Sequence, residues 1–160
     1  MDHQSIAQLL GNYGEFLGSI AVVATLLYLV RQLRQNTSMM RASMAAEMTG
    51  HWLMNGSTIA SDSEMSAAFY DTLKDPNSVA PEKAQKLIFW AINSFKSGEF
   101  AHHQWNEGNL DAALWESNVS LLERAMQIPN HPLTRAWPHI KYLYTPEYVV
   151  FIESLNRDNE

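Results

Sequence analysis

The sequence predicts an all-α protein whose N-terminal helix crosses a membrane and continues into a cytoplasmic helical bundle. An uncharged apolar run occupies residues 16–30. Along the rest of the chain, apolar side chains recur at helical spacing, and no segment alternates with the period of two that marks a strand. Three parts are expected: a short N-terminal segment (1–14), a transmembrane and juxtamembrane helix (15–57) and a helical cytoplasmic domain (58–160).

The apolar run is the expected membrane span. It consists of FLGSIAVVATLLYLV and is apolar all round, unlike a surface helix of a soluble protein. Such a helix is about 22 Å long against a hydrocarbon core of about 30 Å, so flanking residues must extend it and Glu15 must lie at an interface. The alternative is the core of a soluble helical oligomer. The expected span residues are Phe16, Leu17, Ile20, Val22, Val23, Leu26, Leu27, Leu29 and Val30.

Charges on either side of the run predict its orientation. Asp2 and Glu15 precede it without any Lys or Arg, whereas Arg31, Arg34 and Arg41 follow it. The positive-inside rule then places the N-terminus outside and the C-terminal domain in the cytoplasm, as a single-pass protein of a bacterial inner membrane. A cleaved signal peptide is not expected because the first residues are acidic. The arginines could also hold anionic lipid, but three are more simply explained as topology signals.

The two ends of the first helix are predicted from glycine and turn residues. Residues 3–12 favour a short amphipathic helix, separated from the span by Gly11 and Gly14. After the span no Gly or Pro occurs before Gly50, so the helix is expected to continue into the cytoplasm as one rod. The Asn-Gly-Ser sequence at 55–57 is expected to weaken or end it.

Apolar residues along this rod suggest two ways of packing. A possible oligomer seam, spaced alternately four and three residues apart, includes Leu33, Met40 and Met44. It covers fewer than three heptads. The favoured alternative is a stripe with a spacing of four, Met40, Met44, Met48 and Trp52, that packs on the chain's own later helices.

The remaining chain is expected to form several shorter helices, which hold all five tryptophans. Caps, prolines and glycines set their bounds. The expected signals are Ser61 or Ser63 before a short helix, a turn at Pro76, a helix from Pro81 to about Asn106, Asp111 before a helix that stops at Pro129, Asn130 or His131 before Pro132, an interruption at Pro138, and Pro146 opening the last helix.

The order of these features resembles a family. The apolar segment, Tyr28-Leu29-x-x-Gln32-x-x-Gln35-Asn36-Thr37, and a helical part with Gly108-x-Leu110-Asp111 and Trp115 are similar to a group of uncharacterised small bacterial single-pass membrane proteins. The resemblance covers nearly the whole chain. It implies a bacterial inner-membrane setting and brings no catalytic residues.

One cluster is a candidate metal site: Glu99, His102, His103 and Glu107. Glu99 and His102 have the Glu-x-x-His spacing of di-iron bundles, but the second copy that such a site needs does not occur in the sequence. Glu47 and His51, four residues apart, could complete a mononuclear site. The simpler interpretation is a solvated face near a helix end.

Composition excludes several classes of function. The 160 residues contain no cysteine, which excludes disulfides, Cys-ligated zinc and a cysteine nucleophile. Nucleotide-binding and hydrolase motifs do not occur, so neither a cofactor nor an enzyme is expected. Residues 42–160 carry a net charge of −7, which disfavours nucleic acid. The expected function is a membrane-anchored, non-enzymatic interaction module, as an accessory subunit of an inner-membrane complex or a homo-oligomer. Its expected partners are the lipid bilayer and a protein or a second copy.

Overall fold

The computed structural model describes residues 3–155. Within that range the chain is entirely helical with no strand, which confirms the predicted all-α class. Its six α-helices are α1 (His3–Ser61), α2 (Ser63–Lys74), α3 (Pro81–Asn106), α4 (Ala112–Gln127), α5 (Pro132–Ile140) and α6 (Pro146–Ser154), with 3-10 turns at Pro76–Ser78 and Lys141–Leu143.

Helix α1 is continuous over 59 residues, so two predicted breaks are wrong. Gly11 and Gly14 lie within it, because an isolated glycine costs a helix only about 1 kcal/mol and creates no clash. The helix also continues past residues 55–57. There the hydroxyls of Ser57 and Thr58 both donate to the Met54 carbonyl at 2.9 Å, so these turn-forming residues are accommodated by bonds within the helix.

The chain divides into two compact units, Met1–Met40 and Arg41–Glu160. In the first unit, every side chain described from residue 10 to residue 40 is exposed. The second unit contains the rest of α1 together with α2 to α6.

Capping explains where the shorter helices begin. Asp62 caps α2 instead of the expected serines, since its carboxylate reaches the N–H groups of Glu64 and Met65, at 2.8 and 3.2 Å. Asp111 caps α4 as predicted, accepting from the Ala113 N–H at 2.9 Å. A carboxylate at the N-cap also interacts favourably with the helix dipole, which favours Asp over Ser.

The ends of α3 and α5 give one confirmation and one correction. Helix α3 covers Pro81–Asn106 as predicted, and Gly108 follows it with a positive φ of 71°, a conformation that glycine adopts without strain. Helix α5 passes through Pro138 to Ile140, so the predicted interruption is wrong. Pro138 lies near the end of a nine-residue helix, where few backbone bonds depend on it.

Helix α3 lies at the centre of the second unit and packs against α2, α4 and α5. Phe95 of α3 and two residues of α6, Tyr148 and Ile152, are the largest side chains buried completely. They belong to one large cluster: Ala91, Phe95, Leu122, Ala125, Met126, Leu133, Ala136, Trp137, Ile140, Tyr144, Tyr148 and Ile152.

A smaller cluster attaches the C-terminal part of α1. Met48 is buried together with Ala101 and Leu110, and Trp52 packs against that cluster. This part of the methionine stripe therefore packs on the chain's own helices, as the favoured alternative expected. Met44 is half-buried and Met40 is exposed, so the stripe does not continue toward the N-terminus as a buried surface.

Candidate functional site

The first unit presents a long apolar surface. The nine side chains predicted to form the membrane span are all between 46 and 67 % exposed. Among residues 3–155, α1 is the one helix long and apolar enough to cross a membrane, with a mean hydropathy of 1.7 over its most apolar window. Signal sequences and core helices of soluble proteins share that length and composition. A core helix is mostly buried, however, and none of this window is.

Polar groups within this surface are satisfied inside the helix. The Ser19 hydroxyl donates to the Glu15 carbonyl and the Thr25 hydroxyl to the Ala21 carbonyl, each at 2.8 Å. Bonds of this kind let hydroxyls exist in an apolar surrounding without an unpaired donor.

The arginines after the span fall into two groups. Arg31 and Arg34 are exposed and form no ion pair within the described chain. Arg41, in the second unit, donates to the Gly108 carbonyl at 3.2 Å, just beyond the end of α3. Arg41 is thus partly occupied by a structural contact, which leaves Arg31 and Arg34 as the free cations next to the apolar surface.

Three of the four candidate metal ligands face one cleft of about 340 Å³ in the second unit. Glu99, His102 and His103 line it together with Lys96 and Glu147, whereas Glu107 lies outside the lining at the exposed end of α3. Of the supplementary pair, Glu47 is exposed and the ring of His51 lies 6.1 Å from that of Phe100.

The carboxylate of Glu99 is occupied by contacts within the protein. It accepts from the Lys96 ammonium at 2.8 Å and from the backbone N–H of Thr145, the N-cap residue of α6, at 2.7 Å. Burial raises the pKa of Glu99, but the bonds from Lys96 and Thr145 together outweigh it and leave the pKa below its ordinary value. Glu99 therefore holds the start of α6 against α3.

His102 lies among aromatic rings. It stacks on Phe151 with ring centroids 4.8 Å apart and lies 5.7 Å from both Trp115 and Tyr148. Burial lowers the pKa of His102, and the charge of Glu147 offsets part of that effect. In the described part of the chain, no group of three or more His, Asp or Glu side chains is arranged to hold a metal ion.

A cavity of about 420 Å³ was not predicted from the sequence. It lies in the second unit among α1, α3, α4 and the start of α5. We call it the Asn118 cavity, after its most deeply buried polar residue. Its lining residues are Trp52, Asn55, Gly56, Trp90, Ser94, Ser97, Asn118, Leu121, Leu122, Arg124, Ala125, Ile128, His131 and Leu133.

Asn118 distinguishes this cavity from the others. It is only 3 % exposed, and its side-chain Nδ2 finds no hydrogen-bond partner in the described part of the chain. One sequence signal could have identified it: Asn118 is a polar residue on the face of α4 that also carries Leu122 and Ala125, both buried. A buried amide without a partner is unusual, because most buried polar groups are hydrogen-bonded.

Comparison with known proteins gave no match among family models, curated proteins or solved structures.

Proposed function

We propose that this protein is a non-enzymatic interaction module held in the bacterial inner membrane by α1. The N-terminus lies outside and the C-terminal helical domain lies in the cytoplasm, where the domain serves as an accessory subunit or assembles with further copies. The observation that carries the proposal is the exposure of the apolar side chains of residues 16–30. Apolar patches of this size seldom face water, because apolar surface is driven to an interface or a membrane.

The continuity of α1 supports a full span. The 21 residues from 13 to 33 are helical throughout and extend over about 30 Å, the thickness of the hydrocarbon core. Glu15 and Arg31 each lie two residues inside the ends of this stretch, where long charged side chains reach the head groups. The short length of the uncharged run is therefore no obstacle to spanning.

Alkaline carbonate washing of membranes tests the anchor. We expect the full chain to stay in the membrane pellet, because its span would be surrounded by lipid. The matched variant Leu26→Arg places a charge at the middle of the run, where it costs about 2.5–3.5 kcal/mol on insertion scales, and should shift protein to the soluble fraction. Complete release of the unmodified chain would contradict the anchor and favour a soluble oligomer with residues 16–30 in its core.

The absence of native cysteine permits a direct test of orientation. Gln4→Cys and Glu116→Cys each create a unique thiol at an exposed position on either side of the span. A membrane-impermeant maleimide applied to intact spheroplasts should label Gln4→Cys, and should label Glu116→Cys only after permeabilisation. The reverse pattern would invert the orientation while leaving the anchor intact.

A further inference from the structure

The Asn118 cavity has the composition of a small-molecule site. Its volume of about 420 Å³ falls within the range of about 300–1,000 Å³ typical of ligand pockets. Its walls are apolar and partly aromatic, formed by Trp52, Trp90, Leu121 and Ile128 among others. Ligand sites commonly combine such walls with a few polar groups that fix the orientation of the ligand.

Most polar groups of the cavity are already paired. The Asn55 amide donates to the Ser97 hydroxyl at 3.4 Å, the Ser94 hydroxyl donates to the Trp90 carbonyl at 2.9 Å, and the Trp90 indole donates to the Asn55 carbonyl at 3.1 Å. The Nδ2 of Asn118 is the exception within the described lining. An amide N–H can be satisfied only by an acceptor oxygen or nitrogen.

The cavity also carries a net positive charge. Arg124 is exposed at its edge and forms no ion pair with any described residue, and the lining contains no acidic residue. Burial lowers the pKa of His131 to about 4, so that ring is neutral at neutral pH. Arg124 therefore supplies the formal charge of the lining.

The two donors on α4 can address one group. Asn118 and Arg124 are six residues apart, about 9 Å along the helix axis. Long side chains on a helix lean toward its N-terminus, which is the direction from Arg124 to Asn118. A guanidinium and a nearby amide donor together match the two acceptor oxygens of a carboxylate.

We propose that the Asn118 cavity binds a single-chain carboxylate of the fatty-acid class. The carboxylate accepts hydrogen bonds from Asn118 and Arg124, and the acyl chain lies against Trp52, Trp90 and Leu121. Such a ligand satisfies the buried amide, pairs the free arginine and covers the apolar walls. The inference does not rest on the orientation or function proposed above.

Tryptophan fluorescence provides the test, because Trp52 and Trp90 line the cavity. The full chain in phosphatidylcholine nanodiscs is titrated with 11-bromoundecanoate, whose bromine quenches indole emission on contact. We expect saturable quenching in the unmodified chain. Arg124→Gln and Asn118→Leu should each weaken the apparent affinity about tenfold, since each removes a hydrogen bond to a charged group.

The matched control is Arg135→Gln, which removes an exposed arginine lining a different cavity, with Thr72 and His139. It should leave the affinity unchanged. The methyl ester of the same acid lacks the charge and should quench more weakly. Equal affinity of the unmodified chain and Arg124→Gln, or of acid and ester, would overturn the proposal. Arg124 is exposed, so that variant should fold even if Asn118→Leu does not.

Two further arms separate other occupants. Nanodiscs made with bromine-labelled phosphatidylcholine should not quench the cavity tryptophans, and quenching there without any response to the free acid would assign the site to membrane lipid instead. Native mass spectrometry should show the bound acid as a small added mass on the unmodified chain. A polypeptide or a second copy that blocks binding of the acid would also overturn the proposal.

Discussion

Gly98 of α3 faces the hydroxyl end of Tyr148 of α6, with no room between them for a further carbon. A Cβ built on Gly98 would collide with the Tyr148 hydroxyl oxygen and would touch Leu122 of α4 at 3.4 Å. Tyr148 is fully buried within the main core cluster. Three helices therefore approach one another at this glycine, and the absence of its side chain sets how closely α6 lies on α3.

Gly98→Ala should destabilise the protein. Overpacking a core costs typically about 1–3 kcal/mol, which outweighs the gain of about 1 kcal/mol that Ala brings to a helix interior. We expect the free energy of unfolding to fall by about 1–2 kcal/mol in urea titrations followed by tryptophan fluorescence. Gly50→Ala in α1 is the control, since nothing lies within 4 Å of its Cβ position, and it should be neutral or stabilising. A stable Gly98→Ala variant would show that α6 moves away freely.

The hydroxyls of Tyr148 and Tyr144 should respond differently to removal. The Tyr148 hydroxyl is buried without a hydrogen-bond partner in the described chain, whereas the Tyr144 hydroxyl donates to the Ile92 carbonyl at 3.0 Å. Tyr148→Phe should therefore be neutral or stabilising, and should also restore stability to Gly98→Ala. Tyr144→Phe should cost about 1 kcal/mol, because it leaves a half-buried carbonyl unpaired. Equal losses in the two single variants, measured by thermal unfolding, would show that the Tyr148 hydroxyl contributes a bond.

Local signals predicted the helices well. The bounds of α3 and the cap of α4 follow from a proline at N1, a glycine beyond the C-terminus and an Asp side chain, each of which acts over one turn. The predicted breaks at Gly11 and Gly14 failed for a related reason. A glycine weakens a helix but does not end it unless another interaction competes for the backbone.

Features formed by distant segments were harder to predict. The Asn118 cavity takes residues from four helices, and the contact of Gly98 with Tyr148 joins positions fifty residues apart. The candidate metal cluster illustrates the same limit. Spacing along α3 correctly brought Glu99, His102 and His103 to one cleft. It could not foresee that Lys96 and the start of α6 occupy the Glu99 carboxylate.

Glu99 should contribute to stability in a pH-dependent way. Because its pKa is lowered in the folded state, its contribution is present above the ordinary pKa of 4.5 and is lost as the pH falls through the folded value. Glu99→Gln should therefore lower the melting temperature at neutral pH and match the unmodified chain more closely in acid. Glu107→Gln, at an exposed position on the same helix end, should change little. If the difference between Glu99→Gln and the unmodified chain stayed constant down to about pH 3, the charge of Glu99 would not be its source.

His131 should produce a second pH dependence in a higher window. Its Nδ1 caps α5 by accepting from the Leu133 N–H at 3.2 Å, and its ring lies edge-on to Phe69 with centroids 5.2 Å apart. Burial lowers its pKa from 6.5 to about 4, so the unfolded chain binds a proton in this range while the folded chain does not. Stability should consequently fall as the pH decreases from about 6.5 toward 4.

The variant His131→Asn separates this titration from the capping role. Asn is a favourable N-cap residue and has no charge to gain, so the helix start is kept while the slope of melting temperature against pH should flatten between about 4 and 6.5. His139→Asn changes an exposed histidine of the same helix and should keep the slope of the unmodified chain. The decisive comparison is the difference in slope between these two variants. An identical slope in both would place the acid sensitivity of this window in other groups.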